Sequence, residues 1–458
     1  MDASMSTATA LPDAPRQWRC GSLVYGVTGL AVLFGWLLLG DFAWSIKERA
    51  VVPVAQVLLK QLQASDFFIA LVVGSLPAGL AMLLGPVIAV KSDRHRGRYG
   101  RRIPFLLLPV PPIVAGLLGM AATPAVGALL HDLLGSASPG ERICQLAWFS
   151  LTWTLFEVAS VTANAVFGGL INDVVPQPLI GRFYGLFRAT SLLAGIGFSS
   201  LVLGHAEQHF TAIFAGIAAV YGACFLLVCW RVREGSYAPP EPLPAEEGGF
   251  AAAARRYLRE CFSHRFYVLL FLAMMLGLVC GSPVNSFGVF YAKQVGLGLS
   301  GYGDALAVTY ACSLVLALPV GWLADRFHPL RVGLASICAY ALCMLAAGLW
   351  VSDAQQFGIA FVLHGVVSGI YLTGTAALGQ YLFPAARFAQ FFSAMNLLAA
   401  IGYMLVAPVM GAWLDATGSH YHHTFIASGA LALLCALCYV ALLAQMRRLG
   451  GFHRYQAP

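Results

Sequence analysis

Glu157 stands alone in the run WTLFEVASVTAN, with no other charge among these residues. An ionisable group at the centre of a bilayer costs at least about 2.5 kcal/mol, so an acid kept there has work to do. One job is to take up a proton on one face of the membrane and release it on the other. The other is a structural hydrogen bond to a neighbouring helix. Arg188 follows in the next apolar run and has three open roles: binding substrate oxygens, bonding the Asn164 carbonyl, or reaching the membrane interface. Asp41, in GDFAWSIKER, reads either as a gate or cation ligand near a helix end or as the partner of Lys47 or Arg49. His364, in VLHGVV, is the titratable group near the matching place in the second half of the chain. Asn285, Tyr371, Thr375 and Asn396 are candidates to line a polar cavity. Trp44 and Trp153 are candidate aromatic platforms for a sugar ring, with the interfacial belt as the alternative.

A second cluster is dense rather than solitary. The stretch KSDRHRGRYGRRIPF carries six cations in its first twelve residues, Lys91 to Arg102, and lies between two apolar runs. Its Asp93 can accept hydrogen bonds from Arg94, Arg101 or Arg102 and tie helix ends together. The arginines themselves also fit a simple topology signal that holds the turn on the inner face.

These groups need elements to hold them, and the composition says which. Of 458 residues, 59% are hydrophobic and only 10% charged, against about 25% charged in a soluble domain. The net charge of +7 therefore points to cationic inner loops rather than nucleic acid. A helix crosses a bilayer core of about 30 Å with about 20 apolar residues, and twelve segments qualify. They run over 22–44, 67–90, 103–130, 144–170, 183–203 and 211–230, then 266–292, 302–324, 331–351, 357–383, 390–414 and 424–444. The predicted class is an all-α membrane protein of twelve transmembrane helices in two pseudo-symmetric six-helix bundles. The bundles span 22–230 and 266–444. A cytoplasmic tail covers 1–21, and MDASMSTATALPDAPRQWRC lacks the apolar core of a signal peptide. A linker with a basic amphipathic stretch covers 231–265, and a second tail covers 445–458. With the N-terminus inside, the outer loops receive only Lys47, Arg49, Lys60, Arg142 and Lys293 of 27 Lys and Arg. Both termini are then cytoplasmic, in a cell (inner) membrane.

The halves repeat. GPVIAVKSDRHRGRYGRR in the first is answered by GWLADRFHPLRV in the second, and INDVVPQPLIGRFYGLF by QYLFPAARFAQFF. Repeated halves are a transporter pattern. On these residues the chain resembles the major facilitator superfamily. The matching positions are Gly85, Asp93, Arg94, Gly100, Arg101 and Arg102, with Gly321, Asp325, Arg326 and Arg331 in the second copy. Asp173, Pro176, Gly181, Arg182 and Gly185 resemble the loop between helices 4 and 5, and Arg387 occupies its counterpart in the second half. The resemblance implies two rocking bundles and a cytoplasmic gate at these residues, with Asp93 and Asp325 as its latching acids. The gate would form when the protein is open outward. Ser92, Asp93, Arg98, Gly100, Arg101, Arg102, Pro104 and Phe105 are also similar to a stretch of sucrose/proton and glycoside–cation symporters, and Ile103 departs from it.

Other chemistry finds no support. There is no phosphate-binding loop, dinucleotide fingerprint or defensible nucleophile–base pair, so no enzyme is expected. His205 to His209 and His420 to His423 read as solvated loops, not a metal site, and Cys435 with Cys438 as apolar packing. No cofactor is expected beyond a coupling ion, H⁺ or Na⁺. The expected partners are the bilayer and a small solute, with a monomer as the working unit. The expectation is a secondary transporter of a small polar organic solute, a sugar or glycoside leading, with Glu157 as proton carrier. The rival is a non-transporting membrane scaffold or assembly factor on the same fold.

Overall fold

A computed structural model describes residues 17–237, 239, 249–384, 387–452 and 455. The first spanning helix, α1, runs over Val27–Gln61. It is followed by α2 (Asp66–Arg94), α3 (Ile103–Ala121) and α4 (Glu141–Val174). Then come α5 (Ile180–Leu201) and α6 (Ala206–Arg231). The second half holds α7 (Arg265–Gln294), α8 (Gly298–Phe327) and α9 (Pro329–Trp350). It continues with α10 (Ala354–Leu382), α11 (Phe388–Ala416) and α12 (His423–Arg448).

The two halves pack by one plan. In the first, α1 lies on α5 and α6, α3 on α4 and α6, and α2 on α4. In the second, α7 lies on α11 and α12, α9 on α10 and α12, and α8 on α10. The halves then meet chiefly along two seams, α2 against α11 and α5 against α8. These two contacts are themselves related by the repeat, since α2 corresponds to α8 and α5 to α11.

Among the interruptions that shape the helices, three stand out. The prolines at 109, 111 and 112 split α3 into Ile103–Leu107 and Val110–Ala121. A π-helical turn, Ala70–Ser75, sits in α2. The third is a break at Cys280 and Gly281 that divides α7. Each frees backbone groups that neighbouring protein or a wet cavity must satisfy.

The largest departure from expectation is α1. The sequence reading ended it at residue 44 and put Lys47 and Arg49 in an outer loop with Asp41 near the helix end. The helix instead continues to Gln61, because the apolar run Ala50–Leu59 carries it on past Lys47-Glu48-Arg49. Asp41, Lys47 and Arg49 are therefore mid-helix. The linker also has more structure than an extended tether. Gly249–Phe262 is helical and docks on the start of α11, where the Gln390 amide donates to Glu260 at 2.8 Å. Residues 238 and 240–248 of the linker, and 1–16, 453–454 and 456–458 of the tails, lie outside the described residues. Trp18–Cys20 and Leu23–Tyr25 form a small antiparallel hairpin before α1.

The far end, opposite the chain termini, is shut. The Asp415 carboxylate of α11 accepts the Asp66 and Phe67 backbone N–H groups at 2.9 and 2.8 Å. The Asp66 carboxylate accepts Lys60 at 2.6 Å and the Tyr421 hydroxyl at 3.0 Å. Lys293 pairs with Glu207 between α7 and α6. Close approach here depends on glycine. A Cβ on Gly303 would come within 2.0 Å of the Ser199 carbonyl oxygen, and one on Gly411 within 2.6 Å of the Asp66 carbonyl oxygen. At the end that carries the termini, no ion pair between the bundles occurs among the described residues.

Candidate functional site

Three recesses meet between the bundles at Asn285, with volumes of about 480, 250 and 190 Å³. The first bundle supplies one wall from α1 and α5. It presents Asp41, Trp44, Glu48 and Arg49, with Arg188 and Ser191. The second bundle faces it with Asn285, just past the break in α7, with Tyr302, Thr309 and Tyr310 of α8, and with His364 of α10. Arg49 bridges the two walls. Its guanidinium donates to Ser191 Oγ at 3.1 Å and lies 4.4 Å from the Tyr310 ring centre. Its own cationic face and the ring's negative face make that contact favourable. On the opposite wall His364 is buried, with Nδ1 2.8 Å from the Tyr340 hydroxyl and Nε2 3.1 Å from Asn285 Oδ1. The bonds fix the ring and, through it, the Asn285 amide. Gln56 ties α1 to α7 below the cavity, its amide donating to the Ser286 carbonyl at 3.0 Å.

Behind this wall the first bundle buries two charges. Lys47 is 1% exposed. Its ammonium bonds Ser160 Oγ of α4, pairs with Glu48 at 2.6 Å and sits 3.8 Å from the Trp44 ring centre. Glu157, 9% exposed, lies one turn from Ser160 on α4, and the charges that act on it are those of Lys47 and Glu48. Glu48 is half exposed and lines the cavity. A line of ionisable groups thus runs from the wet cavity to the interior of the bundle, through Glu48 and Lys47 to Glu157. Asp41 completes the charged set: it is fully buried, accepts Ser45 Oγ at 3.3 Å, and its Oδ2 has no hydrogen-bond partner.

Several expected residues fall elsewhere. Trp153 does not reach the cavity; it is fully buried against Phe149 and Phe156 inside the first bundle. Tyr371 bonds the Tyr439 hydroxyl at 3.0 Å within the second bundle, and Thr375 bonds the Tyr371 carbonyl. Asn164 and Asn396 are exposed and line none of the three recesses. Helices that are apolar all round carry no stripe to say which face turns inward, so facing was not readable. Glu157 and Arg188 do not pair among the described residues. The sequence reading missed Lys47, Glu48 and Arg49 as site residues. The signal that could have found them is the apolar decapeptide after them, too long to leave in a loop.

At the termini end, the cationic loop is held by acids of its own bundle. Arg101 and Arg102 both bond the Asp173 carboxylate at the end of α4, at 2.8 and 3.0 Å through their Nε atoms. Arg102 also pairs with Asp93, so α2, α3 and α4 are tied together. The Asp173 hydrogen bonds raise the Arg101 pKa above its ordinary value, against the opposing effect of burial. Glu234, just beyond α6, accepts the backbone N–H groups of Arg101, Arg102 and Ile103 at 2.9, 2.8 and 2.7 Å. These are the donors that the start of α3 leaves open. Gly100 makes room with a φ of +101°, where a Cβ would meet Glu234 Cδ at 2.5 Å. Arg94 and Arg96 also have partners here, while Arg182 is exposed.

The second copy makes no matching clamp among the described residues. Asp325 forms no ion pair among the described residues. Arg326 lies over Trp322 and Arg331 over Phe452, and Arg387 is exposed at the start of α11. The reason is local: after α10 the sequence GQYLFPAARF has no acid where the first half has Asp173.

Comparison with known proteins places this architecture. Residues 269–454 match the family model for the Major Facilitator Superfamily. An "MFS-type transporter" of Gibberella moniliformis is 24% identical over 208 residues, 45% of this chain and 48% of that protein. The Escherichia coli protein named "Probable galactarate/D-glucarate transporter GudP" is 24% identical over 193 residues, 41% of this chain and 42% of its own. The chain thus spans less than half the length of these curated relatives. A solved peptide transporter in complex with sulfate superposes with a TM-score of 0.69 over 95% of this chain and 98% of its own, at 15% identity.

Proposed function

We propose that the chain, which matches the Major Facilitator Superfamily model over residues 269–454, is a member of that superfamily and a proton-coupled secondary transporter of a small, hydroxyl-bearing organic solute. The observation that carries the reading is an open, charged cavity between two repeat-related bundles, shut at one end by bonds between them and, among the described residues, free of such ion pairs at the other. A static scaffold has no use for ionisable groups lining such a space. Alternating access needs one barrier removed as another forms, and the far-end lock around Asp66 is one such barrier.

The cationic loops at the termini end support a cytoplasmic position for that end in a cell membrane. The state described is then the inward-facing one. In it the clamp of Asp93, Arg101, Arg102 and Asp173 is intact within the first bundle, so it stiffens that bundle rather than opening and closing with the gate. Glu157 is the proton carrier. Lys47 is shared between its charge and that of Glu48, and a proton on Glu157 leaves the ammonium to Glu48 alone. That shift moves charge between the bundle interior and the cavity wall, where the solute binds. H⁺ fits this arrangement better than Na⁺, since among the described residues a single carboxylate, Glu157, stands at the inner end beside an ammonium group, and a hard cation calls for several oxygen ligands. Trp44 and the hydroxyl groups of Tyr302 and Tyr310 suit a sugar-like body.

Uptake into proteoliposomes tests the reading. Polyols, sugars and sugar acids are offered with an imposed pH gradient, and the wild type is compared with Glu157→Gln. The expected result is accumulation of at least one solute by the wild type and no gradient-driven accumulation by the variant, with solute exchange retained. A Gln variant that accumulates as the wild type does removes Glu157 from the coupling step.

A further inference from the structure

We infer that the transported solute carries a carboxylate, and that Arg49 and Arg188 hold it in the 250 Å³ recess. This rests on the transporter reading only in taking the central cavity as the solute site. The charges around the recess carry the inference. Arg49 and Arg188 both line it, together with Asn285, Thr309, Ser313 and His364, and no carboxylate does. Arg49 has neutral partners, the Ser191 hydroxyl and the Tyr310 ring. Arg188 has no hydrogen bond or ion pair among the described residues, and the charge acting on it is the like charge of Arg49. The acids of the neighbouring recess do not bond these arginines: Glu48 is held by Lys47, and Asp41 accepts from Ser45 and feels the charge of Arg49 without forming an ion pair with it among the described residues.

Two guanidinium groups facing one small space repel each other until an anion enters. A guanidinium offers a planar fork of donors that fits a carboxylate edge-on. A space of 250 Å³ holds about eight waters at about 30 Å³ each, which is room for a small organic acid. The hydroxyls of Thr309 and Ser313 on α8 then face the solute body from the other bundle. A neutral sugar would satisfy those hydroxyls and leave both arginines unanswered. One anion bound to Arg49 and Arg188 of the first bundle and to α8 of the second would also draw the two bundles together.

The test is binding to the full chain in detergent, with no transport required. D-gluconate is compared with D-sorbitol, and 4-hydroxybenzoate with 4-hydroxybenzyl alcohol, by thermal shift and by calorimetric titration at fixed ionic strength. At least one acid is expected to stabilise the protein saturably while its alcohol does not. Arg188→Gln should weaken that binding at least tenfold, and Arg188→Lys by less. The inference is overturned if only the neutral partners bind, if none of the acids binds, if sulfate alone stabilises, or if Arg188→Gln binds the acid as well as the wild type does. Arg188 has no bonded partner to lose among the described residues, so the variant is expected to fold; its melting temperature without ligand checks this. Acid binding without uptake would sink the transporter reading and leave the carboxylate site at Arg49 and Arg188 standing. Uptake of a neutral sugar would do the reverse.

Discussion

The two bundles carry the same loop motif at matching helix ends and treat it differently. At the end of α2, Asp93, Arg101 and Arg102 converge with Asp173, and Glu234 caps the next helix. At the end of α8, Asp325 is without an ion pair among the described residues, and Arg326 and Arg331 rest on aromatic rings. The turn itself is solved by glycine in one copy and by histidine in the other, for His328 has φ +74° and its Nδ1 accepts the Leu330 N–H at the start of α9. The interior follows the same division. The first bundle buries Lys47 and Glu157, while the second answers with His364 held between Tyr340 and Asn285. A repeated fold therefore does not repeat its charges. One half is built as a charged, clamped body and the other as a body of neutral and aromatic contacts.

The sharpest way to break this comparison is to remove the shared acid. Asp173→Asn leaves two arginines facing each other and should cost about 3 kcal/mol, the usual penalty for removing one partner of a buried pair. Asp325→Asn should stay within about 0.5 kcal/mol. Unfolding of the detergent-solubilised protein measures both, and equal losses would dissolve the distinction. Next in size is Glu234→Gln. A neutral amide oxygen replaces a carboxylate that accepts three backbone N–H groups, so a loss of about 1.5 kcal/mol is expected in the same assay. Gly100→Ala should cost about 1 kcal/mol or more, because it adds a Cβ both at a left-handed φ and against Glu234. The smallest effect belongs to the second copy and depends on pH. Burial, and then the charge of Arg331, lower the His328 pKa below its usual 6.5. A lowered histidine pKa means stability that is present above pH 6.5 and lost as the pH falls towards the folded-state value. The wild type should therefore lose some melting temperature between pH 7.5 and 5.5. His328→Asn, which keeps a capping oxygen and tolerates positive φ, should lose less over that range.

Helix number, the division into halves and the burial of Glu157 were legible because each is written in hydropathy: long apolar runs, one long break, one acid without company. The matched loop motifs were legible as a repeat. The pairing within them needed three-dimensional partners, and only the absence of an acid after α10 hinted that the second copy would differ. The charged triplet Lys47-Glu48-Arg49 misled because three ionisable residues in a row look like a turn. At 35 residues, α1 is far longer than a bilayer demands, and hydropathy cannot tell an overlong helix from two shorter pieces. The inward residues of each span were the least legible part. Trp153, Tyr371 and Thr375 were chosen by type, and type does not reveal direction on a helix that is apolar on every side.

The hairpin before α1 bears on how the first half is held. The Cys20 thiol touches the Asp173 carbonyl oxygen at 3.2 Å, and the Ser236 N–H, just past α6, donates to Ser22 Oγ at 2.8 Å. The point where the polypeptide enters this half and the point where it leaves are thus stapled side by side. Such a half behaves like a bead with its thread-holes adjacent. Cutting the thread after Tyr237 should leave two fragments that reassemble when made together in one cell.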